Sequence, residues 1–318
     1  MTNAYVFDGT VLRPIAAPTE RALRWAAWRP DGALALLVGN HGTALSFDGE
    51  RFGALPTESA HNLRGVAWSP DGERALLVGN RGAVLVHDGK SFHELPGVTA
   101  ENLRRVAWSP DGGSALIAGN GGCVLRFDAK SGALEQLPGD RAHTLRSIAW
   151  RPDGGYALIG GYASTRAGYP RPYMLYRCDG RYNQGILATD DEDDAIAIDW
   201  RPGAGPARAL VLVLRYAAGD ERLAGKIVSY DGRGFAYRTV PATAKGDVVT
   251  LLGLAWHPAG EYALLCGERG KLLVYDGQRM QLIASGTQDA LVGPFWQPRA
   301  ASPVAILLRG PDERVYTV

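Results

Sequence analysis

The chain repeats itself, and that constrains it more than any other feature. Leu63–Asp88 matches Leu103–Asp128 at 17 of 26 positions without a gap. The shared core is Leu-Arg-x-Val-Ala-Trp-Ser-Pro-Asp-Gly, then Ala-Leu, then Gly-Asn-x-Gly-x-Val-Leu, then Asp. A third copy runs from Leu23 to Asp48, and weaker copies follow. Two anchors count them. One is Trp28, Trp68, Trp108, Trp150, Trp200, Trp256 and Trp296; the other is Asp8, Asp48, Asp88, Asp128, Asp179, Asp231 and Asp276. Each Trp follows its Asp by 20 to 25 residues, so both series give seven units. Trp25 is the one tryptophan outside the series.

Each unit holds four short apolar runs separated by turn chemistry. In the second full copy these are expected as strand A at Leu63–Trp68, B at Arg74–Val78, C at Ala83–His87 and D at Ser91–Leu95. Pro70-Asp71-Gly72 supplies a turn with φ preset by proline and φ > 0 open to glycine. Asp88-Gly89 is a two-residue hairpin signal. Runs of this length are too short for independent helices. Seven four-stranded antiparallel units of about 40 residues predict an all-β, seven-bladed propeller spanning residues 1–318 as one domain. In strand A, Val66 and Trp68 face one way and Gly65 and Ala67 the other, so the bulky face of one blade can meet the small face of the next. The alternation fails at Asp199 and Phe295. The N-terminal segment is expected to close the ring. The simplest arrangement puts Thr10–Ile15 beside Arg314–Val318 as the last D strand, with Tyr5–Phe7 and Val315–Val318 both eligible for the C position.

The stretch Val66-Ala67-Trp68-Ser69-Pro70-Asp71-Gly72, continued by Val84-Leu85-Val86-His87-Asp88, resembles the WD-repeat unit. The Gly-Asn-x-Gly-x-Val-Leu-x-x-Asp-Gly stretch is similar, more weakly, to propellers of the photosystem II assembly-factor and Asp-box type. The Gly-His dipeptide of WD repeats, the Trp before the final Asp and the Asp-box sequence are absent. The resemblance covers nearly the whole chain, and it implies a propeller used as a binding platform.

Residues that recur in every copy are architectural, so function is sought where copies differ. The B–C turn is a minimal Gly-Asn-x-Gly in the first three copies. It expands to Tyr162–Tyr173 in the fourth, carrying Tyr162, Arg166, Tyr169, Arg171 and Tyr173. In the fifth it expands to Arg215–Lys226, beginning Arg215-Tyr216. The D–A loop between them is acidic: Asp190, Asp191, Glu192, Asp193 and Asp194. All three are expected on one sector of one face. Tyr and Arg are enriched at binding hot spots, which makes these residues candidates for a protein-binding patch. The structural alternative is that Arg166 and Arg171 neutralise a solvated acidic loop.

A second recurrence is an arginine four residues before Trp: Arg24, Arg64, Arg104 and Arg146, replaced by Ile196, Leu252 and Val292 in the last three units. Four guanidinium groups on an arc of the central opening could hold a carboxylate or phosphate. Alternatively each bonds nearby carbonyls or a loop acid such as Glu58 or Glu101.

The remaining chemistry is sparse. Thirty-four basic and 33 acidic residues leave a net charge of +1, so attraction to nucleic acid or an anionic membrane is not expected. No run of about 18 apolar residues occurs. The start of the chain lacks the build of a signal peptide. Cys123, Cys178 and Cys266 are distant and odd in number, expected as buried, inert thiols. The six histidines show no metal-ligand spacing and are expected as lone surface residues, and neither a calcium loop, a Gly-x-Ser-x-Gly elbow nor a phosphate-binding loop before a helix is found. No cofactor or metal is expected. Asp199, a carboxylate in strand A, is the best hint of an enzyme. The expectation is a bacterial, cytoplasmic, non-catalytic interaction scaffold with a protein partner, monomeric by default. The alternatives are a small-ligand or glycan-binding propeller, or an enzyme with its site over the central opening.

Overall fold

A computed structural model describes residues 3–139, 143–163, 173–181, 183–188, 193–216, 222–240 and 250–310. The described residues form seven antiparallel blades of four strands. Strand A is Leu23–Trp28, Leu63–Trp68, Leu103–Trp108, His143–Trp150, Asp193–Trp200, Leu251–Trp256 and Leu291–Trp296 in blades one to seven. In blade two, strands B, C and D are Ala75–Gly79, Val84–His87 and Phe92–Glu94, each within a residue or so of expectation. Each strand A packs on the next, and that of blade seven packs on that of blade one, so the seven first strands make a closed inner ring. Blades four and five are also joined edge to edge, by pairing of Tyr162 with Asp194.

The hydrophobic core lies in the seams between blades, one apolar cluster to each seam. Strand B explains why. Ala35–Gly39 is buried at every position. Its alternate side chains serve two seams: Leu37 packs toward blade seven, Leu36 and Val38 toward blade two. A strand buried on both faces needs a continuous apolar run, and Ala-Leu-Leu-Val-Gly is one.

Both sequence anchors are structural. The indole N–H groups of Trp28, Trp68, Trp108, Trp150 and Trp200 donate to strand-A carbonyls of the preceding blade, those of Phe295, Ala27, Ala67, Ala107 and Ala149, at 3.1–3.2 Å. The tryptophans therefore bolt neighbouring blades together. In five blades the residue before the anchor Asp packs edge-on against the same blade's tryptophan, as Phe47 does on Trp28 and Phe127 on Trp108. In blade two that residue is His87, 5% exposed and stacked on Phe92, so this histidine is a core ring and not the expected surface residue. The anchor Asp closes the C–D hairpin: Asp48 accepts the backbone N–H groups of Glu50 and Arg51, and Asp276 those of Gln278 and Arg279. The three cysteines are buried and free.

The ring closes differently from the simplest expectation. Ala4–Phe7 pairs with Ala305–Arg309 and takes the C position of blade seven. Leu12–Ile15 pairs with Ala4–Phe7 as strand D; Arg314–Val318, its partner in the simplest expectation, lies outside the described residues. Alternation decides the choice: Tyr5 and Phe7 fill the seam against blade six beside Leu264 and Leu272.

Candidate interaction face

The B–C and D–A connections emerge where strand A begins. In blades one to six the register of strand A against strand B slips there. The skipped residue is Arg24, Arg64, Arg104, Arg146, Ile196 or Leu252. A bulge leaves its extra residue out of the ladder and re-aims its side chain. The recurrent arginine is thus a bulge residue, repeated on adjacent blades of the inner ring.

Three of the arginines donate to the same kind of acceptor. The Nε groups of Arg24 and Arg104 donate to Oδ1 of Asn40 and Asn120 at 3.0 and 2.7 Å, and that of Arg64 donates to Oδ1 of Asn80. These asparagines, each sixteen residues on, belong to the Gly-Asn turns. In blade four Tyr162 occupies that place, and Arg146 Nε instead meets the fully buried Asp194 at 3.0 Å. The expected acceptors, Glu58 and Glu101, are not used. Constant Arg-to-Asn spacing was the signal that could have found the true ones.

The electrostatics follow from that choice. Asparagine orients a guanidinium without neutralising it. Arg104 is pushed down to about 10 by burial and then by the charges of Arg146 and Arg64, with Asp194 opposing. Arg64 moves down for the same leading reasons, burial and then the charges of Arg24 and Arg146. Asp194 is raised to about 6 by burial, against the pull of Arg146 and Arg104. The acidic stretch is therefore not wholly a solvated loop: Asp193 and Asp194 begin strand A of blade five and are buried, while Asp190–Glu192 lie outside the described residues.

One residue further along strand A, a contact spans three blades. Arg105 reaches from blade three past Gly65 of blade two, and its Cζ lies 3.6 Å from the centroid of Trp25 in blade one. Its Nη1 donates to the carbonyls of Arg64 and Arg104 at 2.9 and 2.8 Å. Trp25 meets Phe295 of blade seven edge-on at 4.7 Å. A Cβ on Gly65 would approach the carbonyl oxygen of Arg104 to 2.9 Å, so the close approach of the first strands of blades two and three needs glycine there. Trp25, outside the repeat count, thus joins blades seven, one and three.

Of the expected protein-binding residues, Tyr162 is half-buried in an extended strand B (Ala157–Ala163). Tyr173 is 40% exposed at the start of strand C, tilted on Tyr176 at 6.0 Å. Arg166, Tyr169 and Arg171 lie outside the described residues. Arg215 and Tyr216 are not loop residues: strand B of blade five runs Ala209–Tyr216 and strand C begins at Arg222, which corrects the expected loop of Arg215–Lys226.

Asp199 lies at the other end of strand A, in the seam with blade six. Its Oδ2 accepts the backbone N–H of Trp256 at 2.7 Å, and burial lifts its carboxyl to about 7. Among the described residues, no three His, Cys, Asp or Glu side chains converge as a metal site.

No protein-family model matches the chain, and no curated protein matches it. Solved structures do. One is described as YCF48 bound to D1 peptide, with a TM-score of 0.65 at 16% identity over 93% of this chain and 94% of that one. Another is the β-propeller domain of Cps50 (Swd1) from Myceliophteria thermophila, with a TM-score of 0.62 at 16% identity over 92% and 98%. The fold is that of the WD-repeat-like β-propellers. At this identity the likeness of these propellers extends to fold alone.

Proposed function

We propose that this propeller is a non-catalytic interaction scaffold that docks another protein on the face where its B–C connections emerge, over blades four and five. The carrying observation is the contrast between copies. Blades one to three close the B–C turn with Gly-Asn-x-Gly, whereas blades four and five extend their strands and join through Tyr162 and Asp194. The extra chain is not needed for a blade, and it carries Tyr and Arg. A propeller of the same fold has a peptide bound, which supports a peptide or protein as the ligand class. The proposed contact residues are Tyr162, Arg166, Tyr169, Arg171, Tyr173, Arg215 and Tyr216, and the proposed setting is a bacterial cytoplasm.

The test is capture of the partner from the source cell with intact protein, then affinity measurement with Tyr169→Ala/Arg171→Ala. Binding is expected to weaken by on the order of 2 kcal/mol or more, with the melting temperature unchanged. A normally folded double variant with full affinity overturns this placement.

A further inference from the structure

We infer that the arginine arc, centred on Arg64 and Arg104 of blades two and three, is a binding site for a small, multiply charged oxyanion, apart from the protein-docking sector of blades four and five. Three features build it. The arginines are bulge residues on adjacent blades, turned out of the ladder at one common level. Arg105 lies over Trp25 one residue further along strand A, giving the arc of blades one to three a packed base. The opposite arc carries Ile196, Leu252 and Val292, so cationic groups line one side only.

Arg64 and Arg104 make no direct ion pair among the described residues. Among the described residues, the hydrogen bonds of Arg64 and Arg104 run through Nε alone, to neutral asparagines. The Nη1–Nη2 end of each planar fork remains for a ligand, and that end matches carboxylate or phosphate oxygens in paired geometry. Asp194 is the buried carboxylate of the arc, and its ion pair is with Arg146. Burial, and then the charges of neighbouring arginines, lowers Arg64 and Arg104 from their ordinary range, and a bound anion relieves that repulsion.

The experiment titrates purified full-length protein with orthophosphate, pyrophosphate, succinate and citrate at fixed ionic strength, read by calorimetry and thermal melting. Saturable binding of a polyanion with a rise in melting temperature is expected. Tighter pyrophosphate binding assigns a phosphoryl ligand, tighter citrate binding a polycarboxylate, and either supports the site. Arg64→Gln/Arg104→Gln is expected to weaken binding about tenfold or more. Asn80→Asp/Asn120→Asp keeps the shape of both pins but supplies internal carboxylates. It is expected to weaken anion binding similarly while holding or raising the melting temperature. No saturable binding at millimolar anion, or unchanged binding in the Asn→Asp variant, overturns the inference. Partner capture plays no part in these measurements, so their failure is separate from failure of the docking proposal.

Discussion

Asp199 shows how one residue can depart from a repeat at a measurable cost. Its counterparts are Ala27, Ala67, Ala107, Ala149, Ala255 and Phe295. At five of the seven positions the next blade's indole bonds this residue's carbonyl; among the described residues the indole N–H groups of Trp256, after Asp199, and of Trp296, after Ala255, have no acceptor. The Asp199 carboxylate instead takes the Trp256 backbone N–H. Its folded pKa, about 7, lies above the unfolded value, so the folded state binds the extra proton. That contribution is full below about pH 4 and is lost as pH rises through about 7. Asn in its place is neutral at every pH and still accepts the N–H. Asp199→Asn is therefore expected to exceed the parent in stability at pH 8, by on the order of 2–4 kcal/mol, with the gap closing toward pH 4. Denaturant melts at both pH values check this, and a gap independent of pH would contradict it.

At the scale of the element, the hairpins carry the opposite pH dependence. The Asp that closes each C–D turn accepts backbone N–H groups in its ionised form. Asp8 is held at about 2, led by its bond from Val11 and supported by Thr10. Asp48, Asp128, Asp231 and Asp276 are also lowered by backbone N–H donors. Folded values below the unfolded one give stability that is present above about pH 4 and lost as pH falls toward 2. The melting temperature is expected to drop across that window. Asp48→Asn/Asp276→Asn, whose caps cannot titrate, is expected to show a shallower drop, and an equally steep one would remove the turns as the cause. The turns were legible because Asp-Gly is local chemistry. The arginine pins were less so: Gly-Asn read as a turn, and its second role as an acceptor depends on a bulge sixteen residues earlier.

For the whole molecule, stability depends on closing the ring. Deleting residues 1–15 bares the backbone edge of Ala305–Arg309 and removes Tyr5, Phe7 and Leu12 from the blade six–seven seam. Three buried side chains at about 1.5–3 kcal/mol each approach the total stability of an ordinary domain. An unpaired edge also templates aggregation. The deletion is expected to aggregate or to melt far below the intact chain. A soluble deletion with an unchanged melting temperature would disprove closure by this segment.

What the sequence determined alone is whatever repeats within about 40 residues: blade number, strand order, turn chemistry and the Trp and Asp anchors. Each follows from local alternation and turn preference, copied seven times. Tertiary structure decided what one blade cannot encode. Tyr5 and Phe7 took the C position because their alternation fills the seam with blade six. Trp25 came to join blades seven, one and three because Arg105, two blades away, lies over its ring. Asp194 was buried because Tyr162 had replaced the asparagine that would have held Arg146. These are contacts between blades, set by which residues the ring brings together.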